Sequence, residues 1–158
     1  MSNPITNYLD VVSKSEKDNV KLYKFFYNHI LNEEFVDLAL NEKTKGIFGD
    51  KIDKFYKKNP NASENDLASY IENICGSTSL YIDKNEDETP ILPEDVFGNS
   101  FYIQLSSDLP LGFYEMFSKY FNVKIYLSYT IWDTMYEGTR VFADGKQLRG
   151  KKAKQDWI

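Results

Sequence analysis

The sequence predicts an α+β fold: a ferredoxin-like antiparallel sheet, βαββαβ plus a C-terminal hairpin strand, with a helical insert and the helices on one face. Three observations predict it. The stretch "VKIYLSYTIW" (Val123 to Trp132) alternates apolar and polar side chains without a break, the signature of a half-buried strand. Helix-start chemistry at "SKSEKD" and again at Ser63 with Asp66 separates such alternating stretches. The resulting order is strand, helices, strand, strand, helix, strand, strand, which is a βαββαβ unit with one strand added. At 158 residues and 42% hydrophobic content, the chain fits a single domain with a substantial core.

Pro4 to Val12 reads as the first strand, with Ile5, Leu9 and Val11 set against Thr6, Tyr8 and Asp10. Ser13 with Glu16, or Ser15 with Asp18, forms a capping box for a long helix from about Lys17 to about Leu40. Val20, Tyr23, Tyr27, Ile30 and Leu38 share one face of it. Gly46 and Gly49 break the pattern, and a short helix near Lys51 to Lys57 is stopped by Asn59-Pro60. Ser63 and Asp66 cap a further helix through about Ile74, closed by Gly76. "STSLYID" is the second strand and "FYIQLS" (Phe101 to Ser106) the third, with an acidic, proline-containing loop from Glu86 to Gly98 between them. Pro110 begins a helix to about Tyr120. The strand Val123 to Trp132 follows, then a turn near Asp133 to Glu137 and a final strand, "GTRVFADG". Asp144-Gly145 ends the fold, so the expected organisation is one domain over residues 1–145, with a helical insert at about 42–75, and a basic tail over 146–158.

Right-handed crossovers place both helical layers on one side of the sheet and leave the other side open. With Ile5, Leu9, Leu80, Ile82, Phe101, Ile103, Leu105, Ile125 and Leu127 facing the helices, the opposite parity presents Tyr8, Tyr81, Tyr102, Tyr126 and Trp132 outward. Three readings of that aromatic face stand side by side. The tail or the acidic loop folds over it, since large exposed apolar patches are uncommon. It is a protein interface, with a second copy or another partner, since Tyr and Trp anchor such surfaces. Or it stacks bases, a mode that needs cations beside the rings, of which this face offers Lys124 and Arg140.

Charge narrows the classes. The net charge is −5, unlike that of a general nucleic-acid binder. From Lys146 onward five cations (Lys146, Arg149, Lys151, Lys152, Lys154) meet one anion, Asp156, so the preceding body is more acidic than the whole. The single Cys75 forms no intrachain disulfide. No apolar run approaches the roughly 20 residues of a membrane helix, and the N-terminus has neither a basic start nor an apolar signal core. The expected location is cytoplasmic, with no membrane partner.

No catalytic or metal motif stands out, and the chain is read as a non-enzyme without a cofactor. "DKNEDETPILPE" places Asp83, Asn85, Asp87 and Glu94 at calcium-loop positions, but Glu88 holds the position that demands glycine, and Pro90 and Pro93 interrupt the loop. His29 is the only histidine and lies mid-helix, too few ligands for zinc. Cys75 sits at a helix end with no base nearby in sequence. "GSTS" (Gly76 to Ser79) lacks the lysine of a phosphate loop.

Four stretches occur in the order found in the YubB-like family of plasmid and phage proteins. They are Asn3, Thr6 and Asn7 of "MSNPITN"; "GSTSLYID"; "FYIQLSSDLPLGFYEMFSKYF" with Pro110 in its loop; and the closing hairpin with Gly138 and "FADG". The chain resembles that family over most of its length outside about Glu42 to Asn73. It departs from it at Leu80 and near Ser106 to Asp108, where the family tends to carry tryptophans. The resemblance implies a ferredoxin-like domain and a mobile-element origin.

Acidic body, aromatic sheet face and this resemblance together lead to one expectation. The chain is a non-catalytic module that binds a basic or nucleic-acid-binding host protein in the host cytoplasm and inhibits a defence system of CRISPR or restriction type. Tyr102, Tyr126 and Trp132 are the expected anchors, Tyr8 and Tyr81 further partner-binding residues of the same face, and Asp87, Glu88, Glu94 and Asp95 the charged rim. A homodimer through the same face is a further partner. The alternative is a single-stranded nucleic-acid binder that stacks bases on the sheet and grips phosphates with Lys146 to Lys154.

Overall fold

Strand geometry dominates the fold, and the alternation read from the sequence survives in detail. The computed structural model describes residues 5–82 and 96–149. Strand β1 (Ile5–Val12) lies at the centre, paired with β3 (Ser100–Ser106) on one side and β4 (Lys124–Ile131) on the other. The two-residue β2 (Tyr81–Ile82) adds to β3, and β5 (Tyr136–Ala143) and β6 (Lys146–Arg149) extend the sheet beyond β4. The order is β2-β3-β1-β4-β5-β6, and every neighbouring pair is antiparallel. The molecule is therefore an α+β protein with an antiparallel sheet and several helices.

One face of the sheet carries the core. Leu9, Val11, Phe101, Ile103, Leu105, Ile125, Leu127 and Phe142 are all buried against the helices. The helices are α1 (Glu16–Phe25), α2 (Phe35–Leu40), α3 (Lys51–Lys58), α4 (Glu64–Cys75) and α5 (Leu111–Phe121). Phe113, Tyr114 and Phe117 of α5 occupy the middle of the core, with Phe35 stacked on Phe113 at 4.4 Å. Tyr23 meets Phe101 edge-on at 4.9 Å, the geometry that ring quadrupoles favour.

The long helix expected from Lys17 to Leu40 is two helices. Ser15, and not Ser13, is the N-cap, its hydroxyl accepting from the Asp18 amide at 3.1 Å. After α1 the chain loosens into a π-helical turn over Phe26–Ile30, and Asn32 takes a left-handed φ of 66°. The reason lies in distant partners. The Asn32 amide donates to the Leu80 carbonyl at 2.9 Å, the Phe35 amide donates to that of Thr78 at 2.8 Å, and Glu34 bridges to Ser79. These long-range bonds replace intrahelical ones, and Phe35 and Leu38 then re-enter the core on α2.

The same contacts shorten the second strand. Ser77 to Leu80 run along α2 and the Ser107 hydroxyl, which donates to the Ser79 carbonyl at 2.8 Å, and of the described residues in this stretch Tyr81 and Ile82 join the sheet. Helix α4 forms as expected: it opens with a full capping box between Ser63 and Asp66 and closes at Gly76 with φ 91°. The chain does not leave the fold at Asp144-Gly145, where a tail was expected to begin. Both residues adopt positive φ, 57° and 77°, which turns the chain back into β6.

Candidate binding face of the sheet

Register settles which side chains share the outer face, because directly opposed residues of antiparallel strands point the same way. Tyr102 of β3 and Tyr126 of β4 both register with Asp10 of β1. They therefore flank that carboxylate in one row, two strand spacings or roughly 10 Å apart. Val141 of β5 extends the row beyond Tyr126. In the next row Tyr8 lies between Gln104 and Ser128, and in the following one Tyr81 opposes Ser106 and Thr6 opposes Thr130. No helix of the described residues packs on this side, and Tyr81, Tyr102, Tyr126 and Trp132 stay 44–53% exposed. Tyr8 is more deeply set, with intermediate burial.

The five aromatics expected on one face are thus brought together, but not in equal states. The Trp132 indole donates through Nε1 to Thr6 Oγ1 at 2.8 Å, so its ring lies back over the sheet, and Thr6 and Thr130 are buried although they face outward. It acts as a wall to the patch. Tyr102 and Tyr126 form its accessible centre. Lys124 Nζ sits 6.0 Å from the Tyr126 ring centroid, close enough for a modest cation–π attraction.

Arg140 is a correction. It was expected beside Lys124, but it registers with Leu127, a core residue, and its guanidinium lies 5.5 Å from the ring of Tyr129 on the helix side. One of the two cations needed for phosphate contact is therefore on the wrong face, while Asp10 occupies the centre of the tyrosine row. The expected rim residues Asp87, Glu88, Glu94 and Asp95 lie outside the described residues, as do the acidic stretch Asp83 to Glu94, set aside above as a calcium loop, and the tail from residue 150 onward.

The remaining polar candidates are absorbed by structure. Cys75 is buried and its thiol is pushed up to about 12, by desolvation, so it is no nucleophile at neutral pH. His29 packs its ring 5.0 Å from that of Phe25. Among the described residues no group of three or more His, Cys, Asp or Glu side chains is placed to hold a metal, and no helix is long and apolar enough to cross a membrane. Tyr114 and Asn7 form a buried pair that the sequence did not signal: the phenol donates to Oδ1 at 3.0 Å beneath the sheet. Comparison of the chain with protein-family models, curated proteins and solved structures finds no match.

Proposed function

We propose that the chain is a non-catalytic protein-binding module of ferredoxin-like class, carried by a plasmid or phage. In this reading it inhibits a host defence system of CRISPR or restriction type by covering a basic surface. The observation that carries the reading is the outer face of the sheet, where Tyr102 and Tyr126 flank Asp10 and stand half exposed. Two aromatic anchors around a carboxylate suit a partner that offers an Arg or Lys between apolar grooves. The strand order β2-β3-β1-β4 supports the ferredoxin-like class, with β5 and β6 as an added hairpin. The net charge of −5 favours encounter with a basic partner.

Stacking of single-stranded nucleic acid is the weaker reading, because Asp10 repels phosphate at the centre of the patch and Arg140 lies on the other side of the sheet. The test is retention of partners from nuclease-treated host lysate by the tagged chain and by the variant Tyr102→Ala/Tyr126→Ala. One stoichiometric protein held by the wild type and lost by the variant supports the proposal. Recovery of nucleic acid, with proteins lost after nuclease, would make the sheet a stacking surface. Equal retention by a folded variant removes the two tyrosines as anchors.

A further inference from the structure

A cavity opens where the end of β1 meets the start of β4, in the helix layer and apart from the outer face of the sheet. Val12 registers with Lys124, so Ser13 and Val123 continue side by side past the ends of their strands. Leu22 and Phe25 of α1 and Phe121 at the end of α5 line it with them, and the half-open cavity holds about 340 Å³. That volume lies within the range of roughly 300–1,000 Å³ typical of small-molecule sites. The wall is apolar: Leu22 and Val123 are buried, and the Phe25 and Phe121 rings meet at 5.6 Å.

Two polar observations converge on the same cavity. Ser13 lines it and is 5% exposed, yet its hydroxyl has no hydrogen-bond partner among the described residues. A buried hydroxyl without a partner is costly and calls for one. At the mouth stand Lys14 and Lys21 with one carboxylate, Asp18, and neither ammonium forms an ion pair among the described residues. The local balance is one positive charge in a chain whose net charge is −5.

We propose that this cavity binds an amphipathic organic monocarboxylate. The apolar body lies against Leu22, Phe25, Phe121 and Val123, and the carboxylate sits between the two lysines and accepts a hydrogen bond from the Ser13 hydroxyl. A dianion exceeds the local charge, and a cation meets two ammonium groups. The site is independent of the sheet face and of the function proposed for it.

Phenylbutyrate is the probe, titrated into the nitrogen-labelled full chain and followed by amide chemical shifts, with phenylbutanol and phenylbutylamine as neutral and cationic counterparts. Saturable shifts at Ser13, Leu22 and Val123, with phenylbutyrate bound more tightly than either counterpart, are the expected result. The exposed double variant Lys14→Glu/Lys21→Glu weakens it roughly tenfold or more. Ser13→Ala weakens it several-fold. Tyr102→Ala/Tyr126→Ala leaves it unchanged. No saturable shift, shifts confined to the sheet face, equal binding of the alcohol or amine, or undiminished binding by the double lysine variant would each overturn the proposal.

Discussion

Replacing Gly112 by alanine tests how tightly the helical insert is seated on the core. Gly112 lies in the first turn of α5, where the helix meets the last carbonyls of α4. A Cβ built there would stand 1.8 Å from the Ile74 carbonyl oxygen and 2.9 Å from its carbon. Carbon and oxygen in favourable contact sit about 3.3–3.6 Å apart, so the two backbones must part by roughly 1.5 Å. Neither is free to move. Phe113 and Tyr114 follow directly and are fully buried, and Cys75 beside Ile74 is buried as well. Overpacking of this kind costs about 3 kcal/mol. Alanine's helical preference over glycine returns at most about 1 kcal/mol. The net loss of about 2 kcal/mol lowers Tm by roughly 4–8 °C for a chain of this size. Gly46→Ala is the control, since the atoms nearest its Cβ belong to the Tyr120 ring, at 2.9 Å, and that side chain is half exposed and able to swing away. Its effect stays within about 0.5 kcal/mol. Thermal unfolding followed by circular dichroism decides the matter. An unchanged Tm for Gly112→Ala, or equal falls for both variants, would refute the close seating of α4 on α5.

Other outcomes follow from buried polar groups. Tyr114→Phe strands the Oδ1 of Asn7 under the sheet and costs about 1–3 kcal/mol, whereas Asn7→Val/Tyr114→Phe recovers much of it; urea midpoints that rank the two the other way would contradict the pairing. Trp132→Phe removes the bond to Thr6 Oγ1 and costs about 1 kcal/mol; an unaltered urea midpoint would mean the indole is not held over the sheet. Burial lifts the Cys75 thiol from 9.0 to about 12 and raises the Tyr114 phenol, so the folded chain holds protons that the unfolded chain releases. That stability is present below pH 9.0 and is lost as pH rises toward about 12. Cys75→Ala, though less stable overall, flattens the decline, and a wild-type slope in the variant would count against a buried neutral thiol.

Much of the scaffold was legible because its causes are local. Alternation in Val123 to Trp132 fixes which side chains can reach a core, and β4 adopts that parity along its length. The Ser63–Asp66 capping box and the glycine at position 76 bracket α4 within a residue of the expected bounds. The Asp144-Gly145 dipeptide is a turn signal that by itself does not distinguish the end of a fold from a hairpin. Its hairpin geometry instead builds β6, a placement that only a partner strand makes worthwhile. The outward aromatic set was readable from parity alone, with no means of ranking its members.

By itself, then, the sequence determined an α+β chain with an antiparallel sheet, its buried face and the tyrosines opposite. Those features depend on side-chain period, caps and turn chemistry, which act over a few residues. Tertiary structure alone decided the rest. The helix after Ser15 ends early because carbonyls of Thr78 and Leu80 claim its next amides. Trp132 became a wall because Thr6, far away in sequence, accepts the hydrogen bond of its indole N–H. Arg140 turned inward because β5 registers on β4 with Arg140 opposite Leu127, and the cavity beneath Phe25 formed where the end of β1 and the start of β4 meet α1 and the end of α5. Each is a bond or a void between segments distant in the chain, and its energy exists only once the segments have met.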